Sequence, residues 1–286
     1  MNEKVILITG CSSGIGFDAA FALKLRGHKV IASCRKKEDE QRLMALGLDT
    51  VLLDVSCSSS IHTAFAEVLS KTEGRLDVLI NNAGYGQAGA LEDITREVIR
   101  QQFETNVFGL LELSNLAIPV MRQQGQGRII NLSSILGVIS LPFRGAYNAS
   151  KYAVEGLSDT LRLELNSSGI DVITIEPGPI ESRFRDNCID GSLSAIDMKN
   201  SHFNKHYSAM LLTYKQSAAN ATFTKKPAAV IKKLIHAIEA KNPRAKYPVT
   251  VPAQALIFLK RILSTKTLDK LLLFASKKEL SLPNGD

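Results

Sequence analysis

The stretch Thr9-Gly10-Cys11-Ser12-Ser13-Gly14-Ile15-Gly16 follows the apolar run Val5-Ile6-Leu7-Ile8 and opens a segment of helical length. Glycines in such a turn let backbone N–H groups approach a pyrophosphate closely, and the following helix N-terminus favours the anion. The spacing is G-x-x-x-G-x-G, which differs from the G-x-G-x-x-G dinucleotide fingerprint. The turn alone identifies no ligand, so its meaning depends on the rest of the chain.

Short apolar runs alternate with helix-length segments up to about residue 176, as in repeated βαβ units around a parallel sheet. We therefore expect an α/β fold: one Rossmann-type, doubly wound parallel sheet with helices on both faces and a C-terminal helical extension. The single domain, residues 1–286, would comprise a core (1–176), a lid or disordered insertion (177–226), and a helix, strand and basic helical extension (227–286). Predicted strands are 5–9, 29–33, 50–53, 78–81, 128–132, 171–175 and 246–251; predicted helices are 15–26, 38–46, 59–72, 96–122, 147–167 and 227–240.

Composition restricts the class of protein. The four cysteines are scattered without zinc-site spacing, and no metal site is predicted. The N-terminus lacks a signal peptide pattern, and the apolar segments 129–143 and 247–259 contain proline and fall short of the ~20 residues of a bilayer span. A reducing, cytoplasmic location is expected.

Charge is unevenly distributed along the chain. The formal net charge is +7, and residues 205–286 hold 15 Lys/Arg against 4 Asp/Glu, so the first 204 residues sum to −4. A solvated basic face is the commoner meaning of such asymmetry. We expect no nucleic-acid partner. Residues 253–275 either pack as a pocket wall or subunit contact, or lie on anionic lipid as an amphipathic helix.

Tyr147 and Lys151 are four residues apart and therefore share one face of a predicted helix. A nearby ammonium typically lowers the pKa of a phenol from its usual ~10 by ~1–3 units, which suits proton transfer near neutral pH. Ser134 follows the fifth strand, at the carboxyl edge where parallel sheets bind ligands, and its hydroxyl suits an oxyanion. The three residues form a candidate catalytic set.

Further motifs join this set: Asn81-Asn82-Ala83-Gly84 after the fourth strand, Asn106 in the fourth helix, and Pro177-Gly178-Pro179-Ile180 after the sixth strand. Together with the glycine turn they make residues 4–182 resemble the short-chain dehydrogenase/reductase family. The segment from Ser134 to Tyr147 is similar to steroid, retinol and aldehyde reductases of that family. The resemblance implies hydride transfer between nicotinamide and a carbonyl or alcohol, with Asn106, Ser134, Tyr147 and Lys151 as catalytic residues.

The end of the second strand, Ala32-Ser33-Cys34-Arg35-Lys36-Lys37, bears on which nicotinamide is used. Cys34 stands where an NAD site places an acid, and Arg35 suits a 2′-phosphate. The sequence favours NADP(H), with NAD(H) as the alternative. The other cofactor contacts implied by the resemblance are Gly10, Ser12, Ser13, Gly14, Ile15, Gly16, Asp54, Asn81, Ala83, Gly84, Tyr147, Lys151, Pro177, Gly178, Ile180 and Ser182.

Several alternatives remain open at this level. Asp54 either contacts adenine or caps the helix beginning near Ser58. The favoured activity is NADP(H)-dependent reduction of an aldehyde or ketone; the alternatives are NAD-dependent oxidation of a hydroxysteroid or retinol, and a catalytically idle nicotinamide-binding regulator. Relatives commonly form oligomers through the helices predicted at 96–122 and 147–167, so a homodimer or homotetramer is expected.

Overall fold

The computed structural model describes residues 2–181, 195–216 and 224–280, and within these ranges the side chains of 211–216 and 277–280 are not considered. The described residues form a seven-stranded parallel sheet in the order β3-β2-β1-β4-β5-β6-β7. Strand order reverses direction at β1, so the edge between β1 and β4 is the place where an open α/β sheet forms a ligand crevice. The predicted parallel α/β fold is confirmed.

The strands agree with the predicted positions to within one residue at each end up to β6. They are β1 Val5–Ile8, β2 Lys29–Cys34, β3 Asp49–Leu52, β4 Val78–Asn81, β5 Gly127–Leu132, β6 Ile170–Glu176 and β7 Lys246–Pro248. The helices are α1 Gly14–Leu25, α2 Lys37–Ala45, α3 Ser58–Lys71, α4 Arg96–Phe103, α5 Gly109–Gln124, α6 Gly145–Glu164, α7 Asn204–Gln216, α8 Ala228–Glu239, α9 Val251–Ile262 and α10 Thr265–Leu280.

Two apolar layers cover the sheet, one on each face. On one face Ile6 and Ile8 pack with Leu23 of α1 and with Leu234 of α8. On the other face Leu7, the residue between them, packs with apolar residues of α3, α5 and α6. Because successive side chains of a strand point to opposite faces, a strand buried on both sides needs an uninterrupted apolar run, as Val5–Ile8 provides.

The predicted helix 96–122 is wrong in one respect, because it is interrupted. One π-helical turn, Glu104–Phe108, separates α4 from α5. An inserted residue of this kind changes which side chains face inward, and such turns are frequent at functional sites. Apolar periodicity misses it because the segment is helical on both sides.

Two further differences concern the second half of the chain. The segment 177–226, predicted as a lid or disordered insertion, contains helix α7. Its mixture of polar and apolar residues gives no clear helical periodicity in the sequence. The last strand ends at Pro248 and not at residue 251, because Thr250 accepts a hydrogen bond from Ala253 N–H and caps α9. No helix among the described residues is both long and apolar enough to cross a bilayer.

Candidate active site

The glycine turn is held against the end of β4 by hydrogen bonds from the Asn81-Asn82-Ala83-Gly84 motif. Thr9 Oγ1 accepts from the backbone N–H of Asn82 at 2.9 Å and of Ala83 at 2.8 Å. Asn82 Nδ2 donates to the carbonyls of Thr9 at 2.8 Å and Gly10 at 3.1 Å. The two motifs, about 70 residues apart in sequence, therefore form one rigid unit at the β1–β4 edge.

Glycine is required at two positions of this turn for physical reasons. Gly10 has a φ of +72°, and a Cβ atom there would lie 2.8 Å from the Cα of Ala83. At Gly16 the added Cβ would lie 2.5 Å from the carbonyl oxygen of Gly10. The turn is thus as tight as its backbone allows, and Gly14, at φ +62°, directs it into α1.

The first turn of α1 leaves donors available for an anion. Ser13 is the N-cap in extended conformation, and its side chain makes no capping bond. The carbonyl of Ser12 accepts from Arg42 at 2.6 Å, which draws the loop toward α2. Ile15 is partly buried and packs on the core. Because the first N–H groups of a helix lack intrahelical partners, this turn fits a pyrophosphate.

The end of β2 presents cationic side chains beside that turn. Cys34 is buried, and burial raises the pKa of its thiol to about 11. Arg35 and Lys36 are exposed, and neither has an ion pair among the described residues. Lys37 contacts Glu40 at 2.7 Å and is therefore partly neutralised. Arg35 and Lys36 therefore place two positive charges at the end of the strand that no carboxylate in the described part of the chain neutralises.

The Asp54 side chain bonds within a turn and does not cap helix α3. Its Oδ1 accepts from the backbone N–H of Ser56 at 2.9 Å and from the Ser56 hydroxyl at 2.6 Å. Helix α3 is instead preceded by Cys57 as its N-cap, so the helix-cap interpretation is wrong. Asp54 closes a turn at the carboxyl end of β3.

Tyr147 and Lys151 lie on one buried face of α6, as their spacing predicts. The Lys151 ammonium is 5.7 Å from the centre of the Tyr147 ring, and both residues are less than a tenth exposed. Burial lowers the pKa of Lys151 to about 8, and the charge of Glu155 one turn away opposes this shift. The site thus holds an ammonium that loses its proton far more readily than a surface lysine.

Asn106 lies in the π-helical turn and is buried, so it is not a solvated helix residue. Its Oδ1 accepts from Tyr85 N–H at 3.1 Å, and its Nδ2 donates to the Tyr85 carbonyl at 2.9 Å and to Ser150 Oγ at 3.1 Å. A Cβ atom on Gly84 would lie 3.0 Å from Asn106 Oδ1 and 3.9 Å from Lys151 Nζ. The motif that ends at Gly84, the π-helical turn and helix α6 therefore meet at Asn106.

Ser134 follows β5 and is nearly buried. Its hydroxyl accepts from Leu136 N–H at 3.1 Å and lies 3.5 Å from the carbonyl of Pro177. Gly178 is in close approach to the hydroxyl of Thr250, which no larger residue would permit. Ile180 pairs with Lys225 in a short parallel bridge, which joins the two ends of the segment 177–226. Ser182 lies outside the described residues.

Asn81 is a predicted cofactor contact, and its side chain forms hydrogen bonds within the protein. Its Nδ2 donates to Ser114 Oγ at 3.0 Å and to Asn131 Oδ1 at 2.9 Å. Asn131 in turn donates to Ser158 Oγ at 2.9 Å. These buried polar groups connect β4, β5, α5 and α6 beneath the site. The sequence does not indicate these contacts, because small polar residues inside helices and strands have no distinctive spacing.

A second buried polar group was also missed. Glu155 and Glu176 are both less than a tenth exposed, and Thr174 Oγ1 lies 3.5 Å from each carboxylate. Lys246 contacts Glu155 at 2.7 Å. Burial, reinforced by the charge of Glu155, raises the pKa of Glu176 to about 7. The sequence signal was an acid at the last position of strand β6, immediately before Pro177.

Comparison with known proteins agrees with this geometry. The family model for short chain dehydrogenases matches residues 4–191. The chain is 42% identical to the uncharacterized oxidoreductase YbbO of Escherichia coli over 94% of both chains. It is 37% identical to a 3-ketodihydrosphingosine reductase of Bacteroides thetaiotaomicron, over 85% of this chain and 86% of that protein.

Relatives also include two human enzymes. The chain is 32% identical to 17-beta-hydroxysteroid dehydrogenase type 1, over 87% of this chain and 78% of that protein. It is 30% identical to retinol dehydrogenase 8, over 93% of this chain and 87% of that protein. Among solved structures, a short-chain dehydrogenase from Streptomyces avermitilis is 29% identical, covers 97% of both chains and superposes with a TM-score of 0.75. The chain therefore belongs to the short-chain dehydrogenase/reductase family and is an oxidoreductase with a Rossmann-type NAD(P)-binding fold.

Proposed function

We propose that the protein is an NADP(H)-dependent reductase of aldehydes or ketones. The observation that carries this proposal is the buried pairing of Lys151 with Tyr147, whose ammonium and ring centre are 5.7 Å apart. A phenol beside a buried cation is a proton donor suited to neutral pH, because the cation stabilises the phenolate. Neighbouring residues are suited to binding the cofactor and the carbonyl oxygen of the substrate.

The glycine turn and the first turn of α1 fit the pyrophosphate of a dinucleotide, since the tight backbone at Gly10 and Gly16 leaves N–H groups accessible. A reduced nicotinamide bound there supplies the hydride. Tyr147 protonates the carbonyl oxygen, and Ser134 donates a hydrogen bond to that oxygen as negative charge develops. Lys151 lowers the pKa of Tyr147 and binds the nicotinamide ribose. Asn106 is fixed by hydrogen bonds to Tyr85 and Ser150, and it is proposed to position the route by which a proton reaches Tyr147.

NADP(H) is preferred in this proposal because of the charges at the end of β2. A 2′-phosphate beside Arg35 and Lys36 gains charge-assisted hydrogen bonds, and no carboxylate stands at Cys34 to repel it. The acidic side chains nearest in sequence belong to the first turn of α2, where Glu40 is engaged by Lys37. Asp54 is proposed to contact adenine, because its position at the end of β3 borders the same edge.

The substrate is proposed to be lipophilic. Phe143, two residues before the start of α6, packs edge-on against Phe203 at 5.2 Å and Tyr207 at 6.0 Å, so the proposed lid contacts the segment that leads into the helix of Tyr147. Relatives of this chain are named for 3-ketodihydrosphingosine, a hydroxysteroid and retinol, all with extended hydrocarbon frameworks. Such molecules match a wall of aromatic and aliphatic side chains better than small polar acids do.

Self-association is proposed through α5, the π-helical turn before it, and α6. Phe108, the last residue of the π-helical turn, is 50% exposed, and Leu163 of α6 is 74% exposed. Burying such side chains between two copies would remove apolar surface from water. Sedimentation equilibrium on wild type and on Phe108→Asp tests this. A dimer or tetramer that dissociates in the variant supports the proposal, whereas a wild-type monomer refutes it.

The decisive experiment measures NADPH consumption with aliphatic and aromatic aldehydes, ketosteroids, quinones and retinal. Tyr147→Phe should abolish turnover while leaving NADPH affinity, measured by nucleotide fluorescence, close to wild type. Arg35→Asp should weaken NADPH more than NADH, with Arg100→Asp as an exposed control. A Tyr147→Phe variant with near wild-type rates, or no turnover of any substrate by the wild type, would refute the proposal.

A further inference from the structure

The last two helices, α9 and α10, have one packed side and one bare side. On the packed side Leu268 and Leu272 are buried against Ile135 and Ile139, in the turn that follows Ser134. Leu256, Ile257, Leu263 and Leu271 complete this cluster as partly buried members. The inner side of the pair is therefore a wall beside the candidate active site, and its apolar content is explained by packing.

The bare side carries large apolar residues that packing does not explain. On α9, Val251 is 71% exposed, Phe258 61% and Ile262 60%. Their intervals of seven and four residues place all three on one face of the helix. On α10, Leu273 is 55% and Phe274 80% exposed. Five of the twelve large apolar side chains exposed in the described part of the chain thus lie within residues 251–274.

Positive charge surrounds these apolar residues. Residues 251–280 contain six Lys/Arg and two Asp/Glu. Arg261, Lys266 and Lys270 are exposed, and no ion pair links any of them to the residues that the structure describes. Lys266, Lys270 and Phe274 follow one another at intervals of four, so they share a face of α10. Lys260 is used differently, since its ammonium lies 4.9 Å from the Tyr152 ring.

We propose that the bare side of α9 and α10 docks on an anionic lipid surface, with Phe258, Ile262 and Phe274 inserted among the lipids and Arg261, Lys266 and Lys270 at the headgroups. Apolar side chains flanked by lysine and arginine on a helix without a membrane span are the features of interfacial binding. The proposal concerns a surface and does not depend on the reaction at Tyr147.

Charge favours lipid over a second copy of this chain as the occupant. A twofold contact through this face would bring each cluster of Arg261, Lys266 and Lys270 toward its own copy, and like charges oppose that association. An anionic membrane gains from the same three cations. Because the inner side of the helices packs on the turn after Ser134, docking would also hold the candidate active site close to the lipid.

Vesicle sedimentation tests the proposal, using phosphatidylcholine alone and phosphatidylcholine mixed with phosphatidylglycerol. The full-length wild type should pellet with the anionic vesicles in low salt, less in high salt, and not with phosphatidylcholine alone. The charge reversals Lys266→Glu and Lys270→Glu together should abolish pelleting. The pair Phe258→Ser and Phe274→Ser should do the same in low salt.

Matched controls change exposed residues elsewhere. Lys226→Glu with Lys232→Glu alters net charge equally, and Leu25→Ser removes an apolar side chain that is 87% exposed on α1; both should pellet as wild type does. The proposal fails if the wild type does not pellet with anionic vesicles, if it pellets equally without phosphatidylglycerol, or if the test variants match their controls. A wild-type dimer that the serine pair converts to a monomer without affecting pelleting would instead make this face a subunit contact.

Discussion

The Nζ atom of Lys151 donates a hydrogen bond of 2.6 Å to the carbonyl oxygen of Leu132, the last residue of β5. That bond ties helix α6 to the carboxyl edge of the sheet, two residues before Ser134. Among the described residues it is the one hydrogen bond of this ammonium, which has three hydrogens to donate, so donors remain for a ribose. A single side chain thus connects the strand, the tyrosine helix and the proposed nicotinamide position.

Replacement of Lys151 by methionine should therefore affect both chemistry and binding. Methionine fills similar space without the ammonium that is proposed to stabilise the phenolate of Tyr147, so we expect kcat to fall by about 10²–10⁴. NADPH affinity should fall as well, because the ribose contact is lost. Rapid-mixing kinetics and a fluorescence titration measure the two effects. A variant with unchanged kcat at pH 7 would contradict the assigned role, and Lys232→Met, at an exposed position of helix α8, is the control.

Replacement of Gly16 by alanine should abolish nucleotide binding. The new Cβ would meet the Gly10 carbonyl oxygen at 2.5 Å, so the turn must open. Gly156→Ala is the matched control: it also adds one methyl group within a helix, but nothing lies within 4 Å of its Cβ. That control should bind NADPH normally and stabilise the protein by about 0.5–1 kcal/mol. Equal NADPH affinity of the two variants would contradict the close approach.

The strands and the candidate catalytic set were predictable because each rests on local spacing. Val5–Ile8 needs only an apolar run to indicate a buried parallel strand, and Lys151 needs only its interval of four from Tyr147. The π-helical turn around Asn106 was not predictable, since its cause lies in bonds to Tyr85 and Ser150 from other parts of the chain. Tertiary contacts of this kind leave no periodic signal.

The same limit applies to the buried polar groups. Asn131 looks like an unfavourable polar residue in strand β5, and only the structure shows its partners on β4 and α6. Asn131→Ala should leave Asn81 Nδ2 and Ser158 Oγ without that partner and lower the free energy of unfolding by about 2–5 kcal/mol. Urea titration measures this, with exposed Asn115→Ala as control. Equal losses in the two variants would contradict the network.

Glu176 should make stability depend on pH below neutrality. Its pKa is raised from 4.5 to about 7 by burial and by Glu155, while Lys246 opposes the shift and Asp159 adds to it. The folded protein therefore binds this proton more tightly than the unfolded chain. Its stabilising contribution is complete below pH 4.5 and is lost as pH rises through 7; the shift corresponds to about 3 kcal/mol.

Glu176→Gln tests this dependence because the amide does not titrate. Between pH 4.5 and 7 the free energy of unfolding of the variant should decline less steeply than that of wild type. Denaturant titrations at several pH values measure the slope. Exposed Glu164→Gln should retain the wild-type slope. Identical slopes for wild type and Glu176→Gln would show that Glu176 ionises normally in the folded protein.

Tyr207 couples helix α7, the proposed lid, to the segment before α4, and the loss of its hydroxyl should weaken substrate binding more than chemistry. Its hydroxyl donates to Asp93 Oδ2 at 2.5 Å and accepts from Ala90 N–H at 2.8 Å. Tyr207→Phe keeps the ring against Phe143 but leaves the buried Ala90 N–H and the partly buried Asp93 carboxylate without that hydroxyl. The free energy of unfolding should fall by about 1–3 kcal/mol.

If α7 forms the lid, KM for a lipophilic carbonyl should rise severalfold in Tyr207→Phe while kcat changes little, because Tyr147 and Lys151 are untouched. Ser208→Ala is the control on the same helix, since Ser208 is exposed and its hydroxyl donates to the carbonyl of Asn204 one turn earlier. Steady-state kinetics with a substrate found in the carbonyl panel separates the two parameters. A fall in kcat at constant KM would mean that α7 acts on the proton-transfer step, and it would remove the lid from the proposed mechanism.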